Sequence, residues 1–437
     1  MSGSACRRPR SSGSSFATGL SEVAKVHVIG AGLAGLSTAV RLTMAGLDAE
    51  IHEAAGHAGG RCRSFHDPVL ERRIDNGNHL LLSGNRSTLA YLDAIGATGE
   101  VAGTPAGGFP FLDIKSGERW TISPGDGFFP GWIFKDSRRV PGTRVVDYLK
   151  ALRLLVAAKK ATVAEVLDDG GALYRLFWEP LAVSILNTAA KEAAASLLAA
   201  VLRETFGRGG GACRPLIARL GLSETFIDPA LKFLDQRGVK VRFNRRIREM
   251  VFNGDRVSEI YFGDEGILLG PDDAVVLAVA PDPARQLVPG LIAPETSRAI
   301  VNCHFILPAE RPALTFCGLI GGLGHWLFVR DGVASVTISA GEAIVDEAVK
   351  KIAVRMWPEA ARALDLGAWP LPPYRVVKEK RATFAQTPSE IARRPAVVSE
   401  WKNLFLAGDW TATGLPATME GAVRSGETAA RLAVKYL

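Results

Sequence analysis

The chain has 437 residues, of which 47% are hydrophobic and 22% charged; this is the composition of a globular protein, and the length indicates at least two domains. Its formal net charge is +7, but the basic residues are dispersed and lack interleaved aromatic residues, so we expect no nucleic-acid partner and consider anionic lipid instead. Because there is no uninterrupted apolar run of about 18 residues, we expect no transmembrane helix.

The first 21 residues are rich in Ser, Gly and Arg and contain no apolar segment. We therefore expect a disordered leader and not a secretory signal peptide. The chain also has five scattered cysteines without a C-x-x-C pair. This pattern argues against a disulfide framework or a metal site, and it favours a reducing compartment such as the cytoplasm.

Residues 25–53 predict a strand, a glycine-rich turn, a helix and a second strand. Residues 26–29 are apolar and β-branched, and helical spacing continues to Gly46. Glycines at G-x-G-x-x-G spacing, followed about 20 residues later by an acid, indicate a dinucleotide site at a helix N-terminus. An ordinary glycine-rich βαβ unit is the alternative. The predicted contacts are Gly30, Ala31, Gly32, Leu33, Ala34, Gly35 and Glu53.

The loop after this unit contains Gly59, Gly60 and Arg61. These residues can bring backbone N–H and guanidinium groups to the phosphates of a cofactor. We expect the loop to lie at the site because it leaves the carboxyl end of a parallel strand, where ligands bind in open α/β sheets. The alternative is a flexible surface loop.

A dense polar stretch, residues 75–79, precedes an apolar run. Its members Asp75 and His79 are candidates for acid and base groups. Asn76-Gly77 is also a strong turn signal, so a plain hairpin turn is an equal alternative.

The middle of the chain changes character twice. Residues 96–145 are rich in Gly, Pro and aromatic residues, which predicts short strands and loops. Helical patterns follow at 145–166 and 173–205, and we expect residues 177–180 to interrupt the second helix. Apolar helices between the halves of a nucleotide domain predict a cap over a substrate; ordinary core helices are the alternative.

Later segments return the chain to the first sheet. Asp228 and Pro229 predict a helix with Asp228 as its N-cap. Strands are expected at 239–243 and at 274–279, the second of them buried and parallel. A further helix is expected at 341–357.

The last unit is a predicted strand at 403–407 that runs into Gly408 and Asp409, followed by a helix at 417–430. A strand that leads to a helix N-terminus provides a second set of N–H donors. Such donors suit the pyrimidine edge of a flavin, which gains negative charge on reduction.

The two ends of the chain together resemble the amine oxidase and phytoene desaturase superfamily of FAD proteins. This likeness rests on the N-terminal fingerprint, Gly59-Gly60-Arg61, Ala407-Gly408-Asp409, Glu420-Gly421-Ala422 and Ser425-Gly426. Within that superfamily the chain is similar to the squalene-associated FAD-dependent desaturases, which are hydroxysqualene dehydroxylases. The finer likeness covers nearly all of residues 24–437 and rests on 75–82, 177–181, 186–188, 221–223, 380–384 and 408–418. Asn78 stands where Gln is expected.

The resemblance implies FAD as the cofactor and an α/β fold. A Rossmann-like FAD-binding domain, with a parallel sheet, helices and a β-hairpin or meander, would be interleaved with an α+β substrate-binding domain. We expect the FAD-binding domain to comprise residues 22–95, 228–284 and 385–437, and the substrate-binding domain to comprise residues 96–227 and 285–384.

The resemblance also implies roles for individual residues. Glu53 would bind the adenosine ribose, Arg61 would line the pyrophosphate, and Ile247 would meet the adenine through its backbone. Asp409 would bind the ribityl or pyrophosphate region. The remaining cofactor contacts would be Gly77, Asn78, His79, Gly408, Met419, Glu420, Gly421 and Ala422.

The implied reaction is the reductive removal of the allylic hydroxyl of hydroxysqualene, which gives squalene for hopanoid synthesis. The uncharged C30 substrate requires a long apolar tunnel, and the leaving hydroxide requires a proton donor, either Asp75 or His79. The insoluble substrate and the basic charge predict peripheral contact with the inner face of the bacterial cytoplasmic membrane. The residues leave the electron donor open.

Two other activities are consistent with the same residues. One is an FAD-dependent desaturase of a carotenoid-type polyisoprenoid such as phytoene. The other is a lipid carrier in which FAD has only a structural role. An amine oxidase is less favoured, because no aromatic pair flanking a polar amine pocket can be placed in the sequence.

Overall fold

A computed structural model describes residues 24–103, 108–125, 127–307 and 314–437. The predicted leader, residues 1–21, lies outside the described residues. The strands are β1 Lys25–Ile29, β2 Asp48–His52, β3 Ser64–Asp67, β4 Arg72–Asp75, β5 Leu81–Leu82, β6 Val101–Gly103, β7 Phe109–Asp113, β8 Arg119–Ile122, β9 Pro215–Ala218, β10 Lys240–Arg242, β11 Glu249–Asn253, β12 Arg256–Tyr261, β13 Gly266–Leu268, β14 Ala274–Leu277, β15 Ser297–Ile306, β16 Leu314–Ile320, β17 Trp326–Arg330, β18 Val333–Ile338, β19 Tyr374–Phe384 and β20 Leu404–Leu406.

Helices connect and cover these strands. The α-helices are α1 Leu33–Met44, α2 Arg86–Ala94, α3 Val145–Tyr148, α4 Val163–Leu167, α5 Glu179–Leu186, α6 Ala195–Glu204, α7 Asp228–Asp235, α8 Pro281–Leu287, α9 Val349–Ala363, α10 Pro388–Ala392 and α11 Met419–Tyr436. The chain also forms 3₁₀ helices at Thr98–Glu100, Gly131–Phe134, Asp136–Arg138, Leu149–Leu155, Phe206–Arg208, Gly210–Ala212 and Gly341–Ala343, and π-helices at Tyr174–Trp178 and Ser223–Ile227. Among the described residues, no helix is both long and apolar enough to cross a bilayer.

A five-stranded parallel sheet contains the predicted dinucleotide unit. Its strand order is β10-β2-β1-β14-β20, and every adjacent pair is parallel. Since successive side chains of a strand face opposite sides, Val26 and Val28 pack with α1, α7 and α11, whereas Ile29 packs with the β11-β12-β13 meander. Both faces of the sheet are therefore covered, as the apolar runs predict.

A seven-stranded sheet forms the other large layer. Its order is β19-β15-β18-β17-β16-β7-β8, and only β16 and β7 pair in parallel. One face packs against α9. The other face carries Phe316 and Trp326 and packs against the helices between β8 and β9, with Phe177 and Trp178 buried among them. A mixed α/β architecture is thus confirmed.

The helical middle of the chain differs from the prediction in two ways. The segment 145–166 is not one helix, because α3 continues as the 3₁₀ helix Leu149–Leu155 and then ends. Residues 177–180 do not interrupt the second helix, because a π-helix runs directly into α5. Pro180, which has no backbone N–H to donate, lies where the π-helix passes into α5. The chain turns instead at Asn187, which has a φ of 44°.

Two predicted helix starts were also wrong. Asp228 does not cap a helix, because the π-helix Ser223–Ile227 continues without a break into α7. The helix expected at 341–357 begins only at Val349. A short 3₁₀ turn precedes it, and the left-handed backbone of Ala340, with a φ of 47°, separates that turn from β18.

The helices α1 and α11 cross in close contact. A Cβ added to Gly426 would lie 2.2 Å from the carbonyl oxygen of Ala34. The Ser37 hydroxyl donates to the carbonyl of Val423 at 3.0 Å, and the Thr38 hydroxyl donates to that of Gly426 at 3.2 Å. The crossing brings the first turns of both helices to the same edge of the parallel sheet.

Substitution of Gly426 by Ala should therefore destabilise the protein. The added methyl group would overlap the α1 backbone and force the helices apart, at a cost of roughly 1–3 kcal/mol. Urea unfolding would measure this loss. Arg431→Ala, on the exposed face of the same helix, is the matched control; equal stability of the two variants would contradict the close crossing.

Candidate functional site

The carboxyl ends of β1, β14 and β20 meet at one edge of the parallel sheet. The Ala278 N–H donates to the carbonyl of Ile29 at 2.8 Å, and the Ala407 N–H donates to that of Leu277 at 3.0 Å. Gly30 has a φ of +110°, and a Cβ there would lie 2.6 Å from the Ala278 carbonyl oxygen. Only glycine permits this turn, as the fingerprint predicts.

The first turn of α1 faces a space that a phosphate group could fill. Its earliest internal bond runs from the Leu36 N–H to the Gly32 carbonyl, so the N–H groups of Leu33, Ala34 and Gly35 have no partner within the helix. No side chain caps this turn, and it contains no acidic residue. A Cβ added to Gly32 would meet nothing within 4 Å. Free donors beside open space fit a pyrophosphate.

The second glycine loop lies against the first. The Gly59 N–H donates to the Ala31 carbonyl at 2.8 Å, and Gly32 and Gly59 form an isolated parallel bridge. A Cβ on Gly60 would lie 3.6 Å from the Gly32 Cα. The structure thus brings together two glycine segments that the sequence analysis assigned separately to the cofactor.

Glu53 holds the turn from its place at the end of β2. Its carboxylate accepts hydrogen bonds from the N–H groups of Ala31 and Ala55, at 2.7 and 2.8 Å. A carboxylate with two such bonds still has lone pairs for the hydroxyls of a ribose. Its backbone N–H pairs with the carbonyl of Arg242, so the chain that leads to Ile247 runs alongside it. Ile247 itself is partly buried beside the meander.

Arg61 and Asp409 form an ion pair at 2.8 Å, although 348 residues separate them. The carboxylate is nearly buried, at 8% exposure, while the Arg61 side chain is 43% exposed. The Asp409 charge raises the pKa of Arg61. Two residues predicted to contact the cofactor are therefore together, but in this structure they bind each other, and Arg61 also donates to the Ala382 carbonyl.

Arg394 is a site residue that the sequence analysis missed. Its buried guanidinium donates to the carbonyls of Leu415 at 2.7 Å and of Asp409 at 3.0 Å, to the carbonyl of Thr411, and to the Thr413 hydroxyl at 3.0 Å. Burial lowers its pKa to about 10, against the attraction of Asp409. It fixes the loop between β20 and α11. No motif identifies it, because its partners lie in a loop that gives no sign of needing a cation.

The Glu420 side chain is bound within the protein. Its carboxylate accepts bonds from the backbone N–H groups of Ser87 and Thr88, at 3.0 and 2.8 Å, and so caps α2. It also pairs with Arg424 at 2.9 Å. The side chain is thus committed to the protein, and only its backbone N–H in the first turn of α11 is left for a cofactor.

The other predicted residues of this end lie at the same helix start. The Thr418 hydroxyl accepts from the Gly421 N–H at 3.2 Å, so that donor is already used. Met419 is buried at the first position, and the Ala422 N–H bonds within the helix to the Thr418 carbonyl. The Gly408 N–H donates to the Ser425 hydroxyl at 2.8 Å and ties the end of β20 to α11.

Asp75 is engaged on both oxygens and is a poor candidate for a proton donor. One oxygen accepts from the Ser64 hydroxyl at 2.6 Å and from the Leu222 N–H at 3.0 Å. The other forms a 2.6 Å ion pair with Arg330 of β17. Both oxygens of the Asp75 carboxylate are already used by the protein, so we assign it a structural role.

The stretch 77–79 packs against β15 and β18 of the seven-stranded sheet. The Asn78 amide donates to the Thr337 hydroxyl at 2.9 Å, and a Cβ on Gly77 would lie 3.1 Å from the Asn302 amide nitrogen. No hydrogen bond of the His79 ring is found among the described residues. Burial lowers the pKa of His79; Asp75 opposes this shift and Arg61 adds to it. The ring nitrogens of His79 are therefore available to a ligand.

A second group of polar residues, His27, Glu50 and His52, lies on β1 and β2, with ligand atoms within 4.8 Å of one another. No metal was expected here. Nδ1 of His27 lies 3.2 Å from Nε2 of His52, and Nε of Arg242 donates to the Glu50 carboxylate at 2.6 Å. Burial lowers the pKa of His52 to about 3. The group is thus a neutral histidine pair beside an ion pair, and we assign it to the structure of the sheet.

Comparisons with known proteins identify the family of this chain. The family described as "Flavin containing amine oxidoreductase" matches residues 33–309 and 344–434. A putrescine oxidase double mutant has a TM-score of 0.69 at 16% identity over 94% of this chain and 99% of its own. A putative protoporphyrinogen oxidase from Exiguobacterium has a TM-score of 0.66 at 15% identity over 95% and 100%. At these identities the two structures show the fold alone.

Nearer relatives are enzymes of one kind. The chain is 48% identical to a hydroxysqualene dehydroxylase of Rhodopseudomonas palustris over 93% of this chain and 97% of that protein. It is 46% identical to one of Sinorhizobium fredii over 94% and 98%. A zeta-carotene desaturase of Synechocystis is only 23% identical. The chain therefore belongs to the flavin-containing amine oxidoreductases and, within them, to the hydroxysqualene dehydroxylases. FAD is its cofactor, and it is an oxidoreductase.

Gly32→Ala should separate cofactor binding from folding. Gly32 has a φ of −76°, and its added Cβ would meet no atom of the protein, so the fold should be kept. The methyl group would occupy the space before α1, and we expect FAD affinity to fall by about tenfold or more. Flavin fluorescence titration of the apoprotein measures the affinity, and thermal unfolding of the apoprotein is the control. Unchanged affinity would contradict the assignment of this space to the pyrophosphate.

Proposed function

We propose that the chain converts hydroxysqualene to squalene with electrons from reduced FAD. The observation that carries this proposal is the identity of 46% and 48% with two hydroxysqualene dehydroxylases over nearly the whole of each chain. In the reaction the allylic C–O bond breaks, a C–H bond forms and the oxygen leaves as water. When bound in its reduced form, FAD would supply the hydride that reduces this carbon.

The residues around the strand ends have the tasks of binding and orienting the cofactor. The open N–H groups of α1 receive the pyrophosphate, and Glu53 binds the ribose. The Arg61–Asp409 pair lies where the two glycine loops meet, and Arg394 holds the loop that precedes α11. These site assignments, and the division into an FAD-binding and a substrate-binding domain, are proposals.

His79 is the proposed proton donor to the leaving hydroxyl. This choice rests on the contrast between its ring, which has no hydrogen-bond partner among the described residues, and the fully engaged carboxylate of Asp75. Its stretch lies beside the sheet whose other residues pack against buried aromatic helices, a setting that suits an uncharged polyisoprenoid.

The role of His79 predicts the pH dependence of the reaction. Since burial holds its pKa below the ordinary value of 6.5, the protonated fraction falls as the pH rises through that lowered pKa. The kcat/KM for hydroxysqualene should fall over the same range. His79→Gln should remove this limb and lower kcat/KM by about 10²–10⁴-fold. His66→Gln, at an exposed histidine of β3, is the control, and a wild-type profile in H79Q would exclude His79 as the donor.

Product identification tests the function as a whole. The FAD-loaded protein, reduced by dithionite without oxygen, should convert hydroxysqualene to squalene with one flavin oxidised for each product formed. Phytoene, offered to the oxidised holoprotein, should give no desaturated product. Desaturation of phytoene without squalene formation would favour a carotenoid-type desaturase. A flavin that neither lipid reduces or reoxidises would favour a carrier.

Peripheral contact with the inner face of the bacterial cytoplasmic membrane is part of the proposal. It is supported by the formal net charge of +7, by the absence of a membrane-spanning helix among the described residues, and by the insolubility of a C30 polyisoprenoid. Anionic lipid attracts a basic protein surface. The electron donor that reduces FAD is left open.

A further inference from the structure

We propose that one surface of the substrate-binding half, formed by residues 128–160, docks on an anionic lipid bilayer. We call it the docking surface. This inference deepens the proposed function, because it names the membrane partner and the part of the chain that meets it.

Exposed apolar side chains are concentrated in this segment. Of the 20 large hydrophobic side chains exposed among the described residues, eight lie between Phe128 and Val156. Phe128 is 79% exposed and Val156 is 85% exposed. The rings of Phe129 and Phe134 stack at 6.0 Å although both are exposed. Scattered single apolar residues are normal on a protein surface, whereas a concentrated patch indicates a partner.

The exposed leucines of the 3₁₀ helix Leu149–Leu155 form a row that we call the ridge. Side chains three residues apart eclipse one another in a 3₁₀ helix, so Leu149, Leu152 and Leu155 project from one side. All three are more than half exposed. Val146, three residues earlier in α3, is also exposed. Leu154, off this row, is buried and anchors the helix.

The ridge and the phenylalanines are held by the same core. Trp132, from the turn that carries the phenylalanines, meets Tyr148 edge to face at 5.4 Å. The Tyr148 hydroxyl accepts from the Val140 N–H at 2.9 Å. The exposed groups therefore sit on a packed support, and no large rearrangement is needed to present them.

Charge indicates which partner suits this surface. Residues 128–160 contain eight basic and two acidic side chains, a net charge of +6 out of the +7 of the whole chain. Arg153, Lys159 and Lys160 are exposed and form no ion pair among the described residues. An apolar ridge with basic flanks matches the acyl and headgroup layers of an anionic membrane. A second copy would bring the same positive charge and be repelled.

A cavity adjoins the docking surface. It has a volume of about 280 Å³ and is lined by Arg144, Asp147 and Lys150, which belong to the segment of the docking surface. Tyr174 and Trp178 of the π-helix that leads into α5 also line it.

The first test measures binding of the FAD-loaded full chain to vesicles. Vesicles of equal parts phosphatidylcholine and phosphatidylglycerol should bind the wild type at low salt, and pure phosphatidylcholine vesicles should bind it more weakly. The quadruple variant Phe128→Ser, Phe129→Ser, Leu152→Ser, Leu155→Ser should lose binding by about tenfold or more. Arg153→Gln with Lys159→Gln and Lys160→Gln should weaken binding to the anionic vesicles alone.

Matched controls come from elsewhere on the surface. Ile292 and Val398 are exposed to a similar degree, at 62% and 56%, and the double variant Ile292→Ser, Val398→Ser should bind as the wild type does. Retained binding by the quadruple variant, or equal loss in the control, would overturn the proposal. Sedimentation supplies another outcome that would overturn the proposal. If the wild type sediments as a dimer and the quadruple variant as a monomer, the surface joins two copies of the chain.

Activity measurements separate this proposal from the proposed function. With hydroxysqualene dispersed in detergent, the quadruple variant should turn over at the wild-type rate. With hydroxysqualene embedded in anionic vesicles, its rate should fall about tenfold. Absence of squalene in both assays, with vesicle binding intact, would overturn the dehydroxylase and keep the docking surface. Formation of squalene by a wild-type protein that does not bind vesicles would overturn the docking surface and keep the dehydroxylase.

Discussion

The close crossing of α1 and α11 is the contact on which the rest of the structure depends. Only a residue without a side chain fits at Gly426, where the α1 backbone passes. This approach places the start of each helix beside the ends of β1 and β20, and thus aims two sets of free N–H groups at one place. The Arg61–Asp409 pair then forms across the gap between the two ends. Without the crossing, the glycine turn alone would be an isolated loop.

Parts of this arrangement could be predicted because they depend on nearby residues. The unit from β1 to Glu53 is encoded locally by apolar runs, glycine spacing and a terminal acid, and its geometry follows from βαβ connectivity. The C-terminal strand and helix could be recognised for the same reason. The course of the chain in the segment 173–205 could not be predicted. Its π-helix continues into an α-helix that has a proline near its start, and this sequence pattern resembles that of a helix end.

The side-chain roles that escaped prediction all depend on distant partners. Glu420 has the sequence context of a flavin contact. Its carboxylate instead caps α2, where it accepts from the N–H of Thr88, 332 residues earlier in the chain. Asp75 reads as an acid or base, but Arg330, 255 residues later, takes one of its oxygens. Arg394 has no motif. A sequence states which groups are available, while the tertiary fold decides which of them are already engaged.

Buried amides join the seven-stranded sheet, and the segment that follows its strand β19, to other parts of the fold. Asn302 on β15 donates to the Asn76 carbonyl at 3.3 Å and accepts from the Thr337 hydroxyl at 2.7 Å. The fully buried Gln386 donates to the carbonyl of Leu186 and accepts from the N–H of Ala417. Because an unsatisfied buried amide is costly, a shifted register between the layers would be penalised at each of these points.

The pairing of Arg61 with a partner 348 residues away has a consequence for biosynthesis. During translation the first glycine turn emerges long before β20 and α11, and such distant contacts form late in folding. Until then the nascent chain lacks one wall of its flavin site. Loading of FAD is therefore expected only after the C-terminal strand and helix have folded onto the first unit.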